Sequence, residues 1–137
     1  MKLELKKEFI EKYSKLTDFK EYEEIINKFI RKAIRINTLK TTIAKTKKTL
    51  SENYKLIQIP WCKEGFWIET ERRDLGNMLE HQLGHIYIQE AASMLPPTIL
   101  NPKQDEIILD AAASPGSKTT QIASMMENTG LIIANDL

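Results

Sequence analysis

The sequence predicts an α/β protein in which a small α+β domain, residues 1–80, precedes the start of an open parallel sheet, residues 81–137. Three observations support this prediction. Apolar side chains recur at helical spacing near the amino-terminus, and short alternating strands follow them. In the last third of the chain, two apolar runs flank a loop and a helix. A strand, loop, helix and strand in this order form the repeating unit of a parallel sheet.

The composition excludes several classes of protein. The chain has 137 residues, a formal net charge of +1 and no uncharged apolar run long enough to cross a membrane, so we expect a cytoplasmic protein without membrane contact. Its single cysteine, Cys62, excludes an internal disulfide and a zinc site built on several thiolates. His81 and His85 have the spacing of helical metal ligands, but Gly84 interrupts them and no HExxH pattern exists. We therefore predict no metal site.

Two helices are predicted at the start of the chain. Four apolar residues at helical spacing indicate a first helix that ends before Thr17, namely Leu5, Phe9, Tyr13 and Leu16. Asp18 and Glu21 have the spacing of a capping box that begins a second helix. The inward-facing residues of that helix would be Tyr22, Ile25, Ile26, Phe29 and Ile30.

The apolar period then changes to that of a strand. Ile34 and Ile36 alternate with Arg35 and Asn37, which predicts a strand with one buried face. Arg35 and Asn37 would share its exposed face and point at one polar partner. A strand edge solvated by polar groups is the alternative interpretation.

Further elements follow in short succession. Thr41 or Thr42 can cap a third helix, and two strands, residues 55–60 and 66–69, flank a turn at residues 63–65. Downstream, the pattern predicts a short helix at residues 77–83, a strand at 86–88 and a helical segment at 89–95 bent by Pro96 and Pro97.

Basic residues cluster in the span between Lys28 and Ser51, which contains no acid: Arg31, Lys32, Arg35, Lys40, Lys45, Lys47 and Lys48. A local basic field of this kind suits RNA phosphates, whereas a solvated helix face is the alternative. Trp61, Phe66 and Trp67 could stack on bases in single-stranded RNA, but Trp beside a strand more often packs in the core, and we adopt that interpretation.

The candidate site lies between Glu106 and Asp136. Asp110 ends the first apolar strand, a loop of small residues follows, and Asn135 and Asp136 follow the second strand. Ligands bind at the carboxyl ends of parallel strands, where small residues allow close approach and the helix beginning near Ser117 presents its amides. A carboxylate after the second strand suits the paired hydroxyls of a ribose. The pattern predicts a site for a nucleoside-type cofactor.

Two phosphate-binding motifs fail at the same loop. A Walker A motif requires an upstream glycine and a Gly-Lys pair, and a dinucleotide fingerprint requires three glycines, but Gly116 is the single glycine here. A pyrophosphate or nucleotide phosphate is therefore disfavoured. An ordinary strand-to-helix turn without a ligand is the remaining alternative.

Three segments of the chain match, in order, the motifs of one known family. Residues 34–40 are IRINTLK, residues 84–94 are GHIYIQEAASM and residues 109–123 are LDAAASPGSKTTQIA. Together they resemble the RsmB/Sun family of RNA cytosine-5 methyltransferases. That family carries an Asp, several small residues and Pro-Gly-(Gly or Ser)-Lys-Thr, and it binds S-adenosylmethionine on a Rossmann-like sheet.

The resemblance implies S-adenosylmethionine as the cofactor and RNA, either tRNA or rRNA, as the partner. The cofactor-binding residues would be Ala112, Ala113, Ser114, Pro115, Gly116, Ser117 and Lys118, with Asp136 taking the ribose hydroxyls and Asp110 supporting the loop. Lys118 would reach a carboxylate or phosphate, or complement nearby acids. Gln89, Glu90 and Ser93 would lie near the loop. The RNA-binding residues would be Arg35, Asn37 and Lys40, and for Arg35 and Asn37 a contact with the catalytic domain is the alternative.

The resemblance also implies that the reactive cysteines lie downstream of the cofactor motif. Cys62 has neither catalytic context, although Lys63 could lower its pKa, so we predict no catalytic residue. We expect the amino-terminal part of the methyltransferase, truncated after the second strand, inactive alone and completed by a second polypeptide. A truncated gene product or a shortened sequence is the alternative origin. The alternative function is a non-catalytic RNA-binding protein with a remnant cofactor motif.

Overall fold

The computed structural model of the chain describes residues 5–26, 31–71 and 74–137. The chain forms two compact units, Met1–Ile30 and Arg31–Leu137. Across the described ranges, no helix is both long enough and apolar enough to cross a membrane. The domain boundary expected near residue 80 stays a prediction.

The first unit contains two short helices, α1 at Lys7–Tyr13 and α2 at Phe19–Ile26. The carboxylate of Asp18 accepts hydrogen bonds from the backbone amides of Lys20 and Glu21, at 2.9 and 3.3 Å. Both helices, and the cap that begins the second one, were predicted from the sequence. The cap satisfies amide groups that the first turn of a helix leaves unpaired.

Aromatic rings hold these two helices together. The Tyr13 ring stacks on Phe9 and on Tyr22, with centroids 4.3 and 5.4 Å apart. Neither helix contains a buried residue, and the ring of Tyr13 in α1 meets that of Tyr22 in α2. Phe29 and Ile30, which the sequence assigns to the second helix, lie outside the described residues.

The second unit begins with a four-stranded antiparallel sheet. Its strands are β1 at Ala33–Ile36, β2 at Lys55–Gln58, β3 at Gly65–Glu69 and β4 at Ile86–Ile88. Their order across the sheet is β2, β3, β1, β4. Helix α3, Ile43–Ser51, connects β1 to β2, and the Thr42 hydroxyl accepts a hydrogen bond from the Lys45 amide. The predicted cap, helix and hairpin are all present.

Short helical segments lead out of this sheet. Helix α4, Leu79–Gln82, precedes β4 and ends before Gly84, as predicted. After β4, a single turn at Ala92–Met94 leads into α5, Leu95–Leu100, which carries proline in its first turn. The helical segment predicted at residues 89–95 is therefore replaced by a short turn and a helix that begins later. Proline lacks an amide hydrogen and is tolerated in the first turn of a helix, which fixes the start of α5.

A parallel strand pair completes the unit. Strand β5, Ile107–Asp110, and strand β6, Leu131–Ala134, are adjacent and parallel, with α6, Ser117–Met125, between them in sequence. The predicted strand, loop, helix and strand unit is confirmed. One face of the pair is apolar and exposed, with Ile107, Leu109, Leu131 and Ile133 on it. The described residues do not cover that face.

Strand β1 is buried on both faces. Ile34 and Ile36 belong to a core with Leu50 of α3, whereas Arg35, although polar, is only 2% exposed on the other face. The predicted exposed face for Arg35 and Asn37 is therefore wrong. β1 lies between β3 and β4, and α6 packs over the face from which Arg35 projects.

Candidate functional site

The candidate site lies where two parallel strands end at the same edge of their sheet. Asp110 at the end of β5 is paired in register with Ala134 at the end of β6. The loop at residues 111–116 and the segment at residues 135–137 are consequently neighbours. The Ala113 amide donates to the Asn135 carbonyl oxygen at 3.0 Å, and the Asn135 amide donates to the Asp110 carbonyl oxygen at 2.9 Å.

Asp110 fastens the loop to the helix that follows it. Its carboxylate is nearly buried, at 9% exposure. One carboxylate oxygen accepts from the Ala112 amide at 3.3 Å, and the other accepts from the Thr119 hydroxyl at 2.6 Å. Charge-assisted hydrogen bonds of this length are stronger than neutral ones. Both carboxylate oxygens of Asp110 thus bond to the loop and to α6, which is the supporting contact that the resemblance implies.

Asp136 joins the end of β6 to the middle of the loop. Its Oδ2 accepts from the Ser114 amide at 2.7 Å, and its Oδ1 accepts from the Leu137 amide at 2.9 Å. The side chain is exposed. Each carboxylate oxygen can accept two hydrogen bonds, so each retains an acceptor position. One remaining acceptor position on each oxygen fits a pair of hydroxyl groups that act as donors.

Gly116 sets the direction of the helix that leaves the loop. Its φ of +98° is in the left-handed region, and it is the N-cap residue of α6. A Cβ built on this glycine would meet nothing within 4 Å, so the backbone conformation and not the available space requires glycine. A glycine N-cap also provides no side-chain acceptor for the amides of the first turn, unlike Ser or Asp. Those amides suit a ligand with acceptor atoms.

The predicted cofactor residues meet at this edge. Residues 112–118 form the loop and the first turn of α6, with Ala112, Ser114 and Pro115 exposed and Lys118 partly buried. Asp136 lies beside them through its bond to Ser114. Their role in binding a cofactor stays a prediction.

Residues before the loop contribute two contacts to it. The Tyr87 hydroxyl donates to the Pro115 carbonyl oxygen at 3.1 Å, and the hydroxyls of Ser93 and Ser117 are 3.4 Å apart. Ser93 was expected near the loop, whereas Tyr87 was missed. The alternation of Ile86, Tyr87 and Ile88 was the available signal, because it places Tyr87 on the opposite face from two apolar neighbours.

Arg35 makes its hydrogen bonds inside the molecule. Its Nε donates to Oε1 of Gln89 at 2.8 Å, and its Nη2 donates to the Thr120 hydroxyl of α6 at 2.9 Å. Burial lowers the pKa of the Arg35 guanidinium below its ordinary value, against the opposing effects of Cys62, Glu64 and Tyr87. Arg35 thus contacts α6, the helix of the candidate site. A contact with the catalytic domain was the alternative to RNA binding that the resemblance left open for Arg35. RNA binding by Arg35 stays a prediction.

Asn37 and Lys40 contact the segment before β4. The Asn37 amide donates to the Gly84 carbonyl oxygen at 3.0 Å, and its Oδ1 accepts from the Leu39 amide at 3.2 Å. The Lys40 ammonium donates to the Leu83 carbonyl oxygen at 3.2 Å. Lys40 is exposed, so its ammonium can still reach solvent and a phosphate.

Cys62 is not an activated thiol. It is buried, and its Sγ lies 3.6 Å from the Glu64 carboxylate. Burial, followed by the Glu64 carboxylate, raises the pKa of the Cys62 thiol from its ordinary 9.0 to about 11. The suggestion that Lys63 lowers this pKa is wrong, because burial and the carboxylate outweigh any effect of the lysine.

A groove of about 1060 Å³ lies away from this edge. Its lining includes Trp61, Lys103 and Ser124 near the carboxyl-terminal end of α6, together with Glu127 beyond that end. None of its lining residues belongs to the loop at residues 111–117. Across the described parts of the chain, no group of three or more His, Cys, Asp or Glu side chains is placed to hold a metal ion.

Two family models match consecutive parts of the chain. The model for the N-terminal domain of 16S rRNA methyltransferase RsmF matches residues 5–91. The model for 16S rRNA methyltransferase RsmB/F matches residues 97–137, which include β5, α6 and β6.

Curated relatives agree with these matches and are longer. The chain is 50% identical over 133 residues to the tRNA (cytosine(49)-C(5))-methyltransferase of Pyrococcus abyssi, covering 96% of this chain and 43% of that protein. It is 49% identical over 120 residues to ribosomal RNA small subunit methyltransferase F of Shewanella frigidimarina, covering 85% of this chain and 25% of that protein. The chain thus spans less than half the length of these relatives.

Solved structures have the same fold. A methyltransferase homolog protein from Pyrococcus horikoshii matches with a TM-score of 0.76 at 41% identity, over 83% of this chain and 38% of that one. NSun6 from Pyrococcus horikoshii, solved with SFG, matches with a TM-score of 0.74 at 21% identity, over 96% of this chain and 58% of that one. The second match is a likeness of fold alone.

Proposed function

The chain belongs to the RsmB/F family of RNA methyltransferases, and on that premise we propose that its loop at residues 112–118, with Asp136, binds S-adenosylmethionine for methyl transfer to carbon 5 of cytosine in RNA. One observation carries this proposal. The Asp136 carboxylate is anchored to the loop through the Ser114 amide at the shared carboxyl edge of two parallel strands. Nucleoside cofactors bind at such edges in open α/β sheets.

We assign binding of the ribose hydroxyls to Asp136. Both of its oxygens accept one backbone amide each, at 2.7 and 2.9 Å, and each keeps an acceptor position for a hydroxyl donor. Because those amides also fix the orientation of the carboxylate, little side-chain entropy remains to be lost when a diol binds.

The loop is assigned the rest of the cofactor. Ala112 and Ala113 have side chains small enough for close backbone approach, and Gly116 turns the chain into α6. The first-turn amides of α6 and the Lys118 ammonium would favour a carboxylate at this end of the helix. Bound there, S-adenosylmethionine supplies an electrophilic methyl group. The residues of this chain hold and orient it.

The thiol that activates cytosine is not Cys62. With a pKa of about 11, only about one Cys62 side chain in 10⁴ is a thiolate at pH 7, and the side chain is buried. We therefore assign the nucleophile to a cysteine outside these 137 residues. The second polypeptide expected from the sequence stays a prediction, and the relatives named above are longer single chains.

RNA is the proposed substrate, and the amino-terminal sheet is its proposed contact. The relatives act, by their names, on tRNA in one case and on small-subunit rRNA in another. Lys40 and the lysines of α3 are exposed and can meet phosphates. Such an enzyme would work in the cytoplasm, where tRNA and ribosomes are substrates.

The experiment is a methyl-transfer assay with the full-length protein, by which we mean the complete gene product in which these 137 residues occur. We would incubate it with S-adenosylmethionine and either unmodified tRNA or a small-subunit rRNA transcript, and measure 5-methylcytidine by mass spectrometry. Formation of 5-methylcytidine in one RNA supports the proposal and identifies the substrate. Absence of 5-methylcytidine from both RNAs would contradict it, and RNA binding by the same inactive protein in a separate filter-binding assay would favour the non-catalytic RNA-binding alternative.

A further inference from the structure

A row of polar side chains crosses the buried layer between the amino-terminal sheet and α6. Arg35 donates to Gln89, and Gln89 in turn donates to Oε1 of Gln121 at 2.8 Å. Gln121 donates to the Met94 carbonyl oxygen at 3.1 Å. Among the described residues, every buried side-chain nitrogen and oxygen has a hydrogen-bond partner. A fully paired polar network of this kind fixes one relative position of the elements it joins.

The strand and the helix match in spacing. Arg35 lies on β1 and Asn37 directly follows its last residue, so the two are two positions apart, about 6.7 Å along an extended chain. Their partners Thr120 and Ser124 are four residues apart on α6, which is about 6 Å along a helix. Arg35 donates to Thr120 at 2.9 Å, and Ser124 donates to Asn37 at 3.4 Å. Two contacts can therefore form at once, which sets the position of α6 along β1.

The first of these contacts continues into the candidate site. The Thr120 hydroxyl accepts from Arg35 and donates to the Gly116 carbonyl oxygen at 2.7 Å. Next to it, the Tyr87 hydroxyl donates to the Pro115 carbonyl oxygen at 3.1 Å. The Arg35 guanidinium carbon lies 5.8 Å from the centre of the Tyr87 ring, so the two side chains are neighbours on the sheet.

We propose that Arg35 and Tyr87 are positioning residues for the cofactor loop. They fix the carbonyl groups of Pro115 and Gly116 from the sheet side, Tyr87 directly and Arg35 through Thr120. Because both carbonyl groups precede the first turn of α6, holding them also limits the movement of the loop residue Ser114, whose amide bonds to Asp136. This inference rests on the proposed function and adds that the amino-terminal sheet controls cofactor affinity.

A purely cohesive role, in which the same contacts only hold the sheet against α6, predicts a different result. If they only joined the sheet to α6, their loss would lower stability and leave cofactor affinity unchanged. Ser124 provides the matched control, because it lies one turn from Thr120 on the same face of α6 and its hydroxyl bonds to Asn37 and to the Thr120 carbonyl oxygen, neither of which is in the loop.

The test measures the dissociation constant for S-adenosylmethionine by calorimetry and the stability by urea unfolding, in the full-length protein. We expect Tyr87→Phe and Thr120→Val each to weaken binding about fivefold, the usual effect of one lost hydrogen bond, with Thr120→Ser restoring the wild-type value. Ser124→Ala should change stability without changing the dissociation constant.

Two results would overturn the inference, and they are distinguishable. Wild-type affinity in both Tyr87→Phe and Thr120→Val, together with reduced stability, would leave only the cohesive role. Absence of S-adenosylmethionine binding by the wild-type protein itself would reject the proposed function and this inference with it. Because Tyr87→Phe removes one hydroxyl from a partly exposed side chain, it is expected to fold.

Discussion

The Thr119 hydroxyl donates a hydrogen bond of 2.6 Å to Oδ2 of Asp110 and so ties the first turn of α6 to the end of β5. A bond to a largely buried carboxylate is worth more than one to a neutral group. Thr119→Val keeps the shape of the side chain and removes the donor, so we expect a loss of about 2 kcal/mol in the free energy of unfolding.

A double-mutant cycle isolates this bond. Asp110→Asn and Thr119→Val should each destabilise the protein in urea unfolding, and the double variant should lose less than the sum of the two. Thr119→Ser, which keeps the hydroxyl, is the control. Additive losses would mean that the two side chains do not depend on each other.

Two glycines with positive φ should respond differently to alanine. Gly116 has open space around its missing Cβ, so Gly116→Ala should cost only the left-handed strain of about 1–2 kcal/mol. A Cβ on Gly130 would collide with the Glu106 carbonyl oxygen and approach the Met126 side chain at 2.7 Å, so Gly130→Ala should cost more. Thermal unfolding of both variants shows which one loses more stability. A smaller loss of stability in Gly130→Ala than in Gly116→Ala would contradict the geometry of the turn before β6.

The Cys62 thiol should be slow to alkylate. Since its pKa is raised to about 11, reaction with iodoacetamide in the folded protein should stay slow at pH 8 and rise toward pH 11, whereas the unfolded protein should react readily near pH 9. Cys62→Ala is the unreactive control. A folded-state reaction midpoint below pH 9 would show that the thiolate is favoured in the folded protein.

The same shift predicts a loss of stability at alkaline pH. Between pH 9 and about 11 the unfolded chain has released the thiol proton and the folded chain has kept it, so stability falls as pH rises through this range. Below pH 9 this contribution is constant. Urea unfolding of wild type and Cys62→Ala across pH 8 to 11 should therefore reveal a steeper decline in the wild type.

Local patterns in the sequence were sufficient for most elements. The Asp18 and Thr42 caps, the β2 and β3 hairpin and the parallel β5 and β6 pair all follow from periodicity and turn residues close in sequence. The loop and Asp136 were placed together because parallel strands must end at one edge.

Contacts between distant residues could not be read in this way. Arg35 was assigned to an exposed face because it alternates with isoleucine, but its partner Thr120 is 85 positions away. A four-residue strand has the same alternation whether its polar face meets water or a helix with polar side chains. For Cys62, the adjacent Lys63 was visible in the sequence, whereas the burial that governs the pKa depends on the packing of Met94 and Gly65 around it.

Substitution of Lys40, which follows β1, tests whether this part of the chain contacts RNA. Each lysine that binds a phosphate adds about 0.7–0.9 to the slope of log affinity against log salt concentration. If Lys40 binds a phosphate, Lys40→Ala should lower that slope by about this amount in filter binding, with Lys7→Ala as an exposed control in α1. An unchanged slope together with reduced stability would mean that Lys40 binds no phosphate and only stabilises the fold through its bond to the Leu83 carbonyl oxygen.

The central claim is that the loop and Asp136 bind the adenosyl cofactor. Asp136→Ala removes the acceptor assigned to the ribose and the anchor of the Ser114 amide, so cofactor affinity should fall by at least about tenfold. Glu52→Ala, which removes an exposed acid at the end of α3, is the control of equal charge.

The most direct measurement is calorimetric titration of S-adenosylmethionine into the full-length protein and these two variants. We expect saturable binding by the wild type and by Glu52→Ala, and a dissociation constant at least about tenfold higher for Asp136→Ala. A dissociation constant for Asp136→Ala equal to that of the wild type would contradict cofactor binding by Asp136.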